Sequence, residues 1–197
     1  MAKRLMDLLL GAVLALFSLP ILLVVAVAIR LTMGRPVLFR QERPGLGGRS
    51  FTMYKFRTML STRGPEGELL PDELRMTRFG LFLRRSSIDE LPELWNVLKG
   101  EMSLVGPRPL LVEYLDLYTS EQARRHNTKP GITGLTQVSG RNSLSWKDRL
   151  ALDVWYVDNR SLRLDLRILA MTVRQVLARS DISAPGHVTM PKFKGES

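Results

Sequence analysis

An uncharged apolar run near the N-terminus constrains this chain more than any other feature. Residues 8–29 read LLLGAVLALFSLPILLVVAVAI, and a helix of that length, at about 1.5 Å per residue, covers a hydrocarbon core roughly 30 Å thick. A secretory signal peptide is the first alternative, because Lys3 and Arg4 precede the run and residues 26–28 loosely match a cleavage site. The run exceeds the usual apolar length of about 7 to 15 residues, and no polar segment precedes residues 26–28, so a lipid anchor is favoured.

The flanking charges and a central proline bear on how this anchor sits in a bilayer. Basic residues lie on both sides of the run, namely Lys3, Arg4, Arg30, Arg35, Arg40 and Arg43. Both ends can therefore be cytoplasmic under the positive-inside rule. Pro20 removes a mid-helix hydrogen bond and Ser18 can return its hydroxyl to the backbone, which predicts a membrane break at these two residues. A helix that enters, bends and returns fits both observations, and a proline-kinked spanning helix is the alternative that the residues leave open.

Length and charge limit what can follow the anchor. The 197 residues suffice for an anchor, residues 1–34, and one catalytic domain, residues 35–197. The formal net charge of +10 favours anionic partners: nucleic acid, an acidic membrane surface or phosphorylated substrates. The absence of cysteine excludes disulfides and thiolate chemistry, and two histidines are too few for a histidine-rich zinc site. If a metal takes part, a hard cation such as Mg²⁺ with oxygen ligands is expected.

Patterning after the anchor predicts an α+β, mostly helical fold. Residues 36–59 predict a β-hairpin with a turn at residues 44–48, whose glycines lack the GxxxxGK[ST] pattern of a nucleotide-hydrolysing P-loop. A helix capped by Asp72 is predicted to run towards Arg85, and its segment 79–83 fits a membrane-interface helix or a buried core helix. A further set of residues at helical spacing is predicted to face the core: Leu91, Leu94, Trp95 and Leu98.

The C-terminal region contains another amphipathic pattern. Its apolar stripe consists of Leu162, Leu166, Leu169, Val173 and Val176, with arginines largely off the stripe. Such a pattern is typical of a helix lying on an anionic membrane surface, and equally of a solvated helix packed on a core. We expect interfacial amphipathic helices in the catalytic domain on this basis.

Residues 84–92, RRSSIDELP, are the most informative segment for chemistry. Pro92 is tolerated only in the first turn of a helix, so a helix is predicted to begin near Asp89. The helix dipole keeps a carboxylate at a helix N-terminus ionised, and the same dipole attracts a substrate phosphate. Asp89 can then attack phosphorus, provided that a cation offsets the repulsion. The alternative is structural, with Asp89 as an N-cap residue or residues 87–90 as a capping box, and this segment alone favours that alternative.

Two loops offer groups that can hold phosphate. In Gly106-Pro107-Arg108-Pro109 the prolines stiffen the backbone of Arg108, so less entropy is lost when its guanidinium binds a phosphate. The same Pro-Arg-Pro tripeptide also serves as a plain turn or linker. Residues 129–142 offer flexible glycines, hydroxyl groups, the amide of Gln137 and the cation of Arg141. This second loop can hold a uridine diphosphate, and equally can be a turn-rich connection.

Several long motifs occur here in one order. They are YKFRTM at residues 54–59, DELPELWNVLKGEMS at 89–103, VGPRP at 105–109 and KPGITG at 129–134. Together they resemble the small monotopic phosphoglycosyl transferases, the bacterial sugar transferases that begin undecaprenyl-linked glycan assembly. The resemblance covers nearly the whole chain, and it reverses the preference at Asp89 from a structural to a catalytic role.

The resemblance implies a re-entrant helix with both ends cytoplasmic, placing the catalytic domain on the cytoplasmic face of a bacterial inner membrane. It also implies a Mg²⁺-dependent ping-pong reaction. Asp89, the expected Mg²⁺ ligand, would attack the β-phosphorus of a UDP-sugar and expel UMP, after which undecaprenyl phosphate takes the phosphosugar. Glu90 would support the nucleophile and assist deprotonation of the acceptor. Lys3, Arg4 and Asp7 fall where the family has a charged cluster at the helix start. The residues expected to hold substrate are Arg84, Pro107, Arg108, Pro109, Gln137 and Arg141.

One departure from the family concerns the membrane break. The family commonly has an adjacent Ser-Pro pair there, whereas Leu19 separates Ser18 from Pro20 in this chain. At the other end, residues 186–189 with Lys192, Phe193 and Gly195 are similar to the branch that uses UDP-N,N'-diacetylbacillosamine in protein glycosylation. The expected donor is therefore that nucleotide sugar or a related N-acetylated one. No pattern in the sequence predicts an oligomeric state.

Two alternatives from other functional classes make different predictions. A membrane-tethered nucleic-acid-binding protein would explain the positive charge and would bind with steep salt dependence. The sequence contains neither a nucleic-acid-binding motif nor a basic stripe on one element, so no nucleic acid partner is expected. A non-catalytic membrane scaffold would keep full function in cells with Asp89→Asn, which the enzyme hypothesis forbids.

Overall fold

Helices and two small sheets make up the computed structural model, which describes residues 1–140, 144–178 and 192–195. The helices are α1 (Ala2–Thr32), α2 (Asp72–Arg75), α3 (Arg78–Arg85), α4 (Glu93–Lys99), α5 (Ser120–Ala123), α6 (Leu135–Ser139), α7 (Trp146–Asn159) and α8 (Leu162–Ala178). The strands are β1 (Leu38–Pro44), β2 (Ser50–Phe56), β3 (Ser103–Val105) and β4 (Gly131–Thr133). Short 3-10 turns include Ile88–Glu90, Val112–Leu117 and Arg124–Asn127. The predicted α+β, mostly helical fold with a long N-terminal apolar helix is confirmed.

Helix α1 packs on the rest of the molecule along one face. Its buried residues are spaced to lie on that face: Asp7, Gly11, Ser18, Val25 and Ile29. Most of its large apolar side chains are exposed, including Phe17 and Leu23. Within the described ranges it is the one helix that is long and apolar enough to cross a membrane. Its exposed apolar faces need a non-aqueous environment, as the hydropathy of the run predicts.

Both ends of α1 contact the same domain. The N-terminal part lies against α4 and β3, where Gly11 faces Val97. Near the C-terminal end, Ile29 packs in a buried cluster with Phe56 of β2 and Leu83 of α3. A straight spanning helix with its domain on one side of the bilayer would leave one end without such contacts.

The helical backbone of α1 runs without interruption through the residues of the expected membrane break. Pro20 lies inside the helix, and Ser18 Oγ donates to the carbonyl of Ala15 at 3.0 Å. The hydroxyl therefore returns to the backbone as predicted. A sharp bend at Ser18 and Pro20 in a bilayer stays a prediction.

The predicted hairpin is confirmed. Strands β1 and β2 pair antiparallel, with Leu38 opposite Phe56 and Pro44 opposite Ser50. Because side chains alternate along a strand, Phe51 and Met53 of β2 both enter the core. The hairpin also places Lys55 of β2 beside the turn that holds Asp89.

The prediction of a single helix between Asp72 and Arg85 is wrong. Two helices, α2 and α3, replace it, because Met76 has an extended backbone and bridges to Met59. Asp72 lies in the first turn of α2 rather than at its cap, and Thr77 caps α3 by accepting from the Gly80 amide at 2.8 Å. Within α3, Leu83 is buried and Phe82 is exposed, so this helix contributes to both the core and the surface.

The prediction of which α4 residues face the core is partly wrong. Leu94 is buried, but Trp95 is 59% exposed, while Glu93 and Asn96 are buried. Asn96 replaces the expected apolar contact with hydrogen bonds to β2, because its Nδ2 donates to the Thr52 carbonyl at 2.7 Å and its Oδ1 accepts from the Tyr54 amide at 3.2 Å. Buried polar groups in folded proteins are almost always hydrogen-bonded, and these two bonds connect α4 to β2.

Helix α8 presents much of its apolar stripe to the exterior. Four of the five stripe residues are exposed: Leu162, Leu166, Val173 and Val176. The buried face of α8 instead includes Asp165 and Ile168. The alternative of a stripe packed on the core is therefore wrong for these four residues, and a surface-lying helix fits the structure.

Candidate active site

The turn Ile88–Glu90 carries the two carboxylates proposed for catalysis. Ser87, immediately before it, has a left-handed backbone with φ of 56°, which L-residues adopt only at a cost. Helix α4 begins later than predicted, at Glu93, with Pro92 at its N-cap. Asp89 therefore precedes the helix by a turn. The capping-box alternative is also wrong, because the Ser87 side chain makes no capping hydrogen bond.

Glu90 is held by two cations from distant parts of the chain. Its Oε1 lies 2.7 Å from Lys55 Nζ on β2 and 2.7 Å from Arg108 Nη2 in the proline-flanked loop. Burial alone would raise the pKa of Glu90, but the charges and hydrogen bonds of Arg108 and Lys55 outweigh burial and hold this pKa below its usual value. Glu90 is therefore ionised and is a poor proton acceptor.

Asp89 has a different environment from its neighbour. Its side chain is 8% exposed, and within the described part of the chain no group donates a hydrogen bond to its carboxylate. Burial first, and then the charge of Glu90, raise the pKa of Asp89 to about 6, against the opposing effect of Lys55, Arg108 and Arg84. A desolvated carboxylate that is not engaged by a partner is suited to nucleophilic attack.

A third carboxylate, Glu93, was missed by the sequence analysis as a member of this cluster. It is 2% exposed, and its Oε1 lies 3.1 Å from Lys55 Nζ. Burial, followed by the charge of Glu90, raises the pKa of Glu93 to about 7, although Lys55 opposes this. Lys55 thus lies between the buried Glu93 carboxylate and the half-buried Glu90 carboxylate. Lys55 and Glu93 belong to two of the motifs described in the sequence analysis, but local patterning does not reveal that these two side chains meet.

The arginines expected to hold substrate differ in what they contact. Arg108 has a side chain that is 42% exposed, so part of its guanidinium remains accessible while it pairs with Glu90. Arg84 of α3 donates from Nε to Thr58 Oγ1 at 3.0 Å, and burial lowers its pKa. Arg43 of β1, which was not predicted as a site residue, is half-buried. Partial burial followed by the charge of Arg108 lowers its pKa to about 10, although the charge of Glu93 opposes this.

The loop of residues 129–134 lies directly against the proline-flanked loop. Strands β3 and β4 pair in parallel, with Ser103 opposite Gly131 and Val105 opposite Thr133. A Cβ at Gly131 would clash with the backbone amide of Gly106, so only glycine permits this approach. The structure therefore brings the two loops together, which their separation in sequence does not reveal.

Of the two predicted substrate residues of the second loop, only Gln137 is among the residues that the structure describes. Gln137 Nε2 contacts the carbonyl of Ile132 at 3.5 Å, and no described contact joins Gln137 to Asp89 or Glu90. Arg141 lies outside the described residues, as do residues 186–189, on which the expectation of a bacillosamine donor partly rests. Substrate roles for Gln137 and Arg141 stay predictions.

The charged cluster expected at the start of α1 is present and connects the anchor to the domain. Lys3 Nζ lies 2.6 Å from Asp165 Oδ2 of α8. The carboxylate of Asp7 accepts from the Ser103 hydroxyl and the Leu104 amide, each at 3.0 Å. Arg4 Nη1 donates to the carbonyl of Val97 at the end of α4 at 2.6 Å. These bonds hold α1 against α8, β3 and α4, the last of which is the helix that follows Asp89.

The carboxylates can be assessed as ligands for Mg²⁺. No group of three or more Asp, Glu or His side chains converges as a metal site among residues 1–140, 144–178 and 192–195. Mg²⁺ commonly uses one or two carboxylates together with substrate phosphates. Glu90 and Glu93 are occupied by cations, whereas Asp89 has oxygens to offer. The donor set fits a metal held by Asp89 and the substrate.

Comparisons with known proteins indicate the family to which this chain is related. Residues 1–179 match the bacterial sugar transferase family. A protein of Bacillus subtilis (strain 168), named the uncharacterized sugar transferase EpsL, is 55% identical over 193 residues, covering 98% of this chain and 96% of the relative.

Longer relatives are also similar. The UDP-glucose:undecaprenyl-phosphate glucose-1-phosphate transferase of Xanthomonas campestris pv. campestris is 44% identical, covering 90% of this chain and 39% of its own length. The galactosyl transferase CpsE of Streptococcus agalactiae serotype III (strain NEM316) is 41% identical, covering 89% of this chain and 42% of its own length. The chain thus spans about two fifths of these two relatives. The match over residues 1–179 shows that this chain belongs to the bacterial sugar transferase family.

Proposed function

We propose that this chain transfers a sugar 1-phosphate from a UDP-sugar to undecaprenyl phosphate, the first membrane step of glycoconjugate assembly. The observation that carries the proposal is the buried Asp89 carboxylate, free of described hydrogen bonds and surrounded by Lys55, Arg84 and Arg108. The names of relatives in Xanthomonas and Caulobacter, both UDP-glucose:undecaprenyl-phosphate glucose-1-phosphate transferases, support these substrate classes.

The proposed reaction has two displacements at one phosphorus. An Asp89 oxygen attacks the β-phosphorus of the donor, and the bond to the bridging oxygen breaks, so that UMP leaves with the electron pair. A phosphate oxygen of undecaprenyl phosphate then attacks the same phosphorus and displaces Asp89, which regains its charge. One pyrophosphate linkage is broken and one is formed, so the exchange needs no nucleotide hydrolysis.

The neighbours of Asp89 have distinct roles in this proposal. Arg108 and Arg84 offset the charge of the donor phosphates, so that one anion can approach another. Glu90 fixes Arg108 and Lys55 through its two ion pairs of 2.7 Å. Its lowered pKa makes it an orienting and electrostatic group rather than the base that deprotonates the acceptor.

We propose that the reaction requires Mg²⁺. Asp89 would hold it together with donor phosphate oxygens, since Glu90 and Glu93 are engaged by Lys55. The bound cation would neutralise charge on the pyrophosphate. Removal of divalent cations with a chelator should abolish turnover, and Mg²⁺ should restore it.

We also propose that the protein is monotopic on the cytoplasmic face of the bacterial inner membrane. Contacts of both ends of α1 with one domain support a re-entrant rather than a spanning helix. Exposed apolar side chains on three elements extend the lipid-facing surface: Phe82, Trp95, Leu166 and Val173. Aromatic side chains such as Trp95 are suited to the depth of the lipid headgroups.

The donor sugar is proposed to be N-acetylated, with UDP-N,N'-diacetylbacillosamine as the first candidate. This choice rests on the C-terminal sequence similarity described above. Relatives named for glucose and galactose are the reason to test other donors beside it. A donor panel therefore has to include UDP-glucose, UDP-galactose and UDP-N-acetylated sugars.

Intact mass spectrometry tests the mechanism and the donor together. Purified protein in nanodiscs is exposed to each UDP-sugar with Mg²⁺ and without lipid acceptor. We expect one donor to add the mass of its sugar phosphate and to release one UMP per protein, and Asp89→Asn to abolish both.

Glu90→Gln is the matched control, because it changes the neighbouring carboxylate and leaves the proposed nucleophile in place. It should form the adduct slowly rather than not at all. Turnover with undecaprenyl phosphate but no adduct from any donor would contradict the covalent route. Full function of Asp89→Asn in cells would instead favour the non-catalytic scaffold.

A further inference from the structure

A buried ion pair lies beneath the loop that presents Arg108. Arg125, in the turn Arg124–Asn127, has a side chain that is 2% exposed, and its Nη2 lies 2.7 Å from Asp153 Oδ2 of α7. The Nε of the same guanidinium donates to the same oxygen at 3.1 Å. Nη2 also donates to the backbone carbonyl of Arg108 at 2.7 Å. One guanidinium therefore ties α7 to the backbone of a residue proposed to bind substrate.

Neighbouring groups fix this ion pair on its other sides. The second carboxylate oxygen of Asp153 accepts from the hydroxyl of Thr136 on α6 at 2.6 Å. The ring of Tyr118 lies 5.8 Å from the Arg125 guanidinium carbon in a cation–π arrangement. Because Thr136 closely follows the loop of residues 129–134, the pair connects that loop with the loop of Arg108.

Stability of the fold does not by itself account for such a pair. Removing two charges from water is costly, and apolar side chains of similar volume often stabilise a core equally well. A guanidinium differs from an apolar group in that it can direct several hydrogen bonds in fixed directions. Here one of those bonds sets the position of the Arg108 carbonyl, and hence the point from which the Arg108 side chain reaches Glu90 at 2.7 Å.

We propose that Arg125 and Asp153 are positioning residues that orient Arg108 towards a phosphate of the nucleotide donor. The inference rests on the proposed function, because it assumes that Arg108 binds donor phosphate. Arg125 acts by holding the backbone carbonyl of Arg108. Asp153, itself bonded to Thr136, keeps the Arg125 guanidinium in a fixed position. The flanking prolines restrict the loop, and Arg125 selects the orientation in which the guanidinium is ready to bind an anion.

A double-mutant cycle with UDP as the probe tests this role. Arg125→Lys keeps a cation beside Asp153, but a single ammonium group cannot reproduce the forked contacts with both Asp153 and the Arg108 carbonyl. We expect Arg125→Lys to weaken UDP binding about tenfold, the scale of one misplaced charge-assisted hydrogen bond. In an Arg108→Ala background, Arg125→Lys should have no further effect, because the group that it positions is gone.

Calorimetric titration of UDP into the protein of 197 residues in nanodiscs, with Mg²⁺, measures the effect of Arg125→Lys in both backgrounds. Arg124→Lys is the matched control, since the adjacent Arg124 pairs at the surface with Glu121 and Asp158, and it should leave UDP affinity unchanged. Thr136→Val is a second, milder variant for use if Arg125→Lys does not fold. It should weaken UDP binding about threefold, again only when Arg108 is present.

The outcomes separate this inference from the proposed function. The positioning role alone would be overturned if Arg125→Lys weakened UDP binding equally in the presence of Arg108 and in the Arg108→Ala variant. It would also be overturned if Arg125→Lys did not weaken UDP binding in the presence of Arg108. If Arg108→Ala by itself left UDP affinity unchanged, the proposed substrate role of Arg108 would fail, and the inference with it.

Discussion

Asp89 and Glu90 are adjacent in sequence and differ in what surrounds them. Glu90 is paired with two cations, so its pKa is lowered, whereas Asp89 lacks a described hydrogen-bond donor and its pKa is raised. Two carboxylates whose pKa values are driven apart by environment are a common arrangement at catalytic sites. The difference supports the proposed roles, in which Asp89 is the nucleophile and Glu90 orients the cations. Glu93 adds a third carboxyl group beside Lys55, and burial raises its pKa to about 7.

The raised pKa of Asp89 leads to a prediction about pH. In magnesium-free buffer, the protonated-carboxyl infrared band that Asp89→Asn removes should titrate near pH 6, well above the ordinary range of an aspartic acid. Glu90→Gln should move this midpoint to lower pH, because it removes a neighbouring negative charge and releases Lys55 and Arg108 to stabilise the Asp89 anion. A midpoint that is the same in both proteins would contradict the electrostatic coupling of the two residues.

At the scale of elements, the parallel pairing of β3 and β4 aligns the loops around the site. The pairing is short, and it depends on close approach of the backbones at Gly106 and Gly131. Asp7 reinforces it from α1, since its carboxylate bonds both to the side chain of Ser103 and to the amide of Leu104. The anchor helix is thus part of the framework of the site as well as a membrane attachment.

Gly131→Ala is expected to be strongly destabilising. Its Cβ would overlap the amide of Gly106 and the backbone at Val105, so β3 and β4 would have to separate. We expect the melting temperature in nanodiscs to fall by more than about 5 °C, corresponding to roughly 2 kcal/mol for a chain of this size. Gly11→Ala in α1 is the control, because its Cβ would meet the Val97 side chain at an ordinary 3.4 Å. Equal stability of the two variants would show that the close approach is not required.

At the scale of the whole molecule, the contacts of α1 bear on the proposed membrane topology. Its N-terminal end lies against β3 and α4, and its C-terminal end against β2 and α3. A long apolar helix with both ends on one domain is most simply accommodated when both ends lie on the same side of the membrane. The exposed stripe of α8 provides a further surface that can rest at the lipid interface.

Cysteine labelling tests this topology directly, because the natural chain contains no cysteine. Ala2→Cys and Glu42→Cys place single thiols at exposed positions on either side of the apolar run. In intact bacterial spheroplasts, we expect a membrane-impermeant maleimide to label neither variant, and to label both after the membrane is permeabilised. Labelling of Ala2→Cys alone before permeabilisation would show that α1 spans the bilayer.

Local patterns in the sequence determined the elements whose cause is local. Hydropathy over residues 8–29 identified the anchor, and the turn chemistry at residues 44–48 identified the hairpin. The position of Pro92 placed a helix close to its true start, although four residues early. These features depend on the nearest neighbours in the chain, so periodicity and turn residues are sufficient to predict them.

Tertiary structure alone decided which side chains meet. Lys55, Glu90 and Arg108 come from segments that are far apart in sequence, and nothing in their spacing indicates ion pairs of 2.7 Å. The same holds for Arg125 beneath Arg108, for Gly131 against Gly106, and for Trp95, which helical periodicity placed in the core and packing left exposed. Burial and charge pairing depend on how elements pack on one another, and that packing is a property of the whole fold rather than of any local stretch.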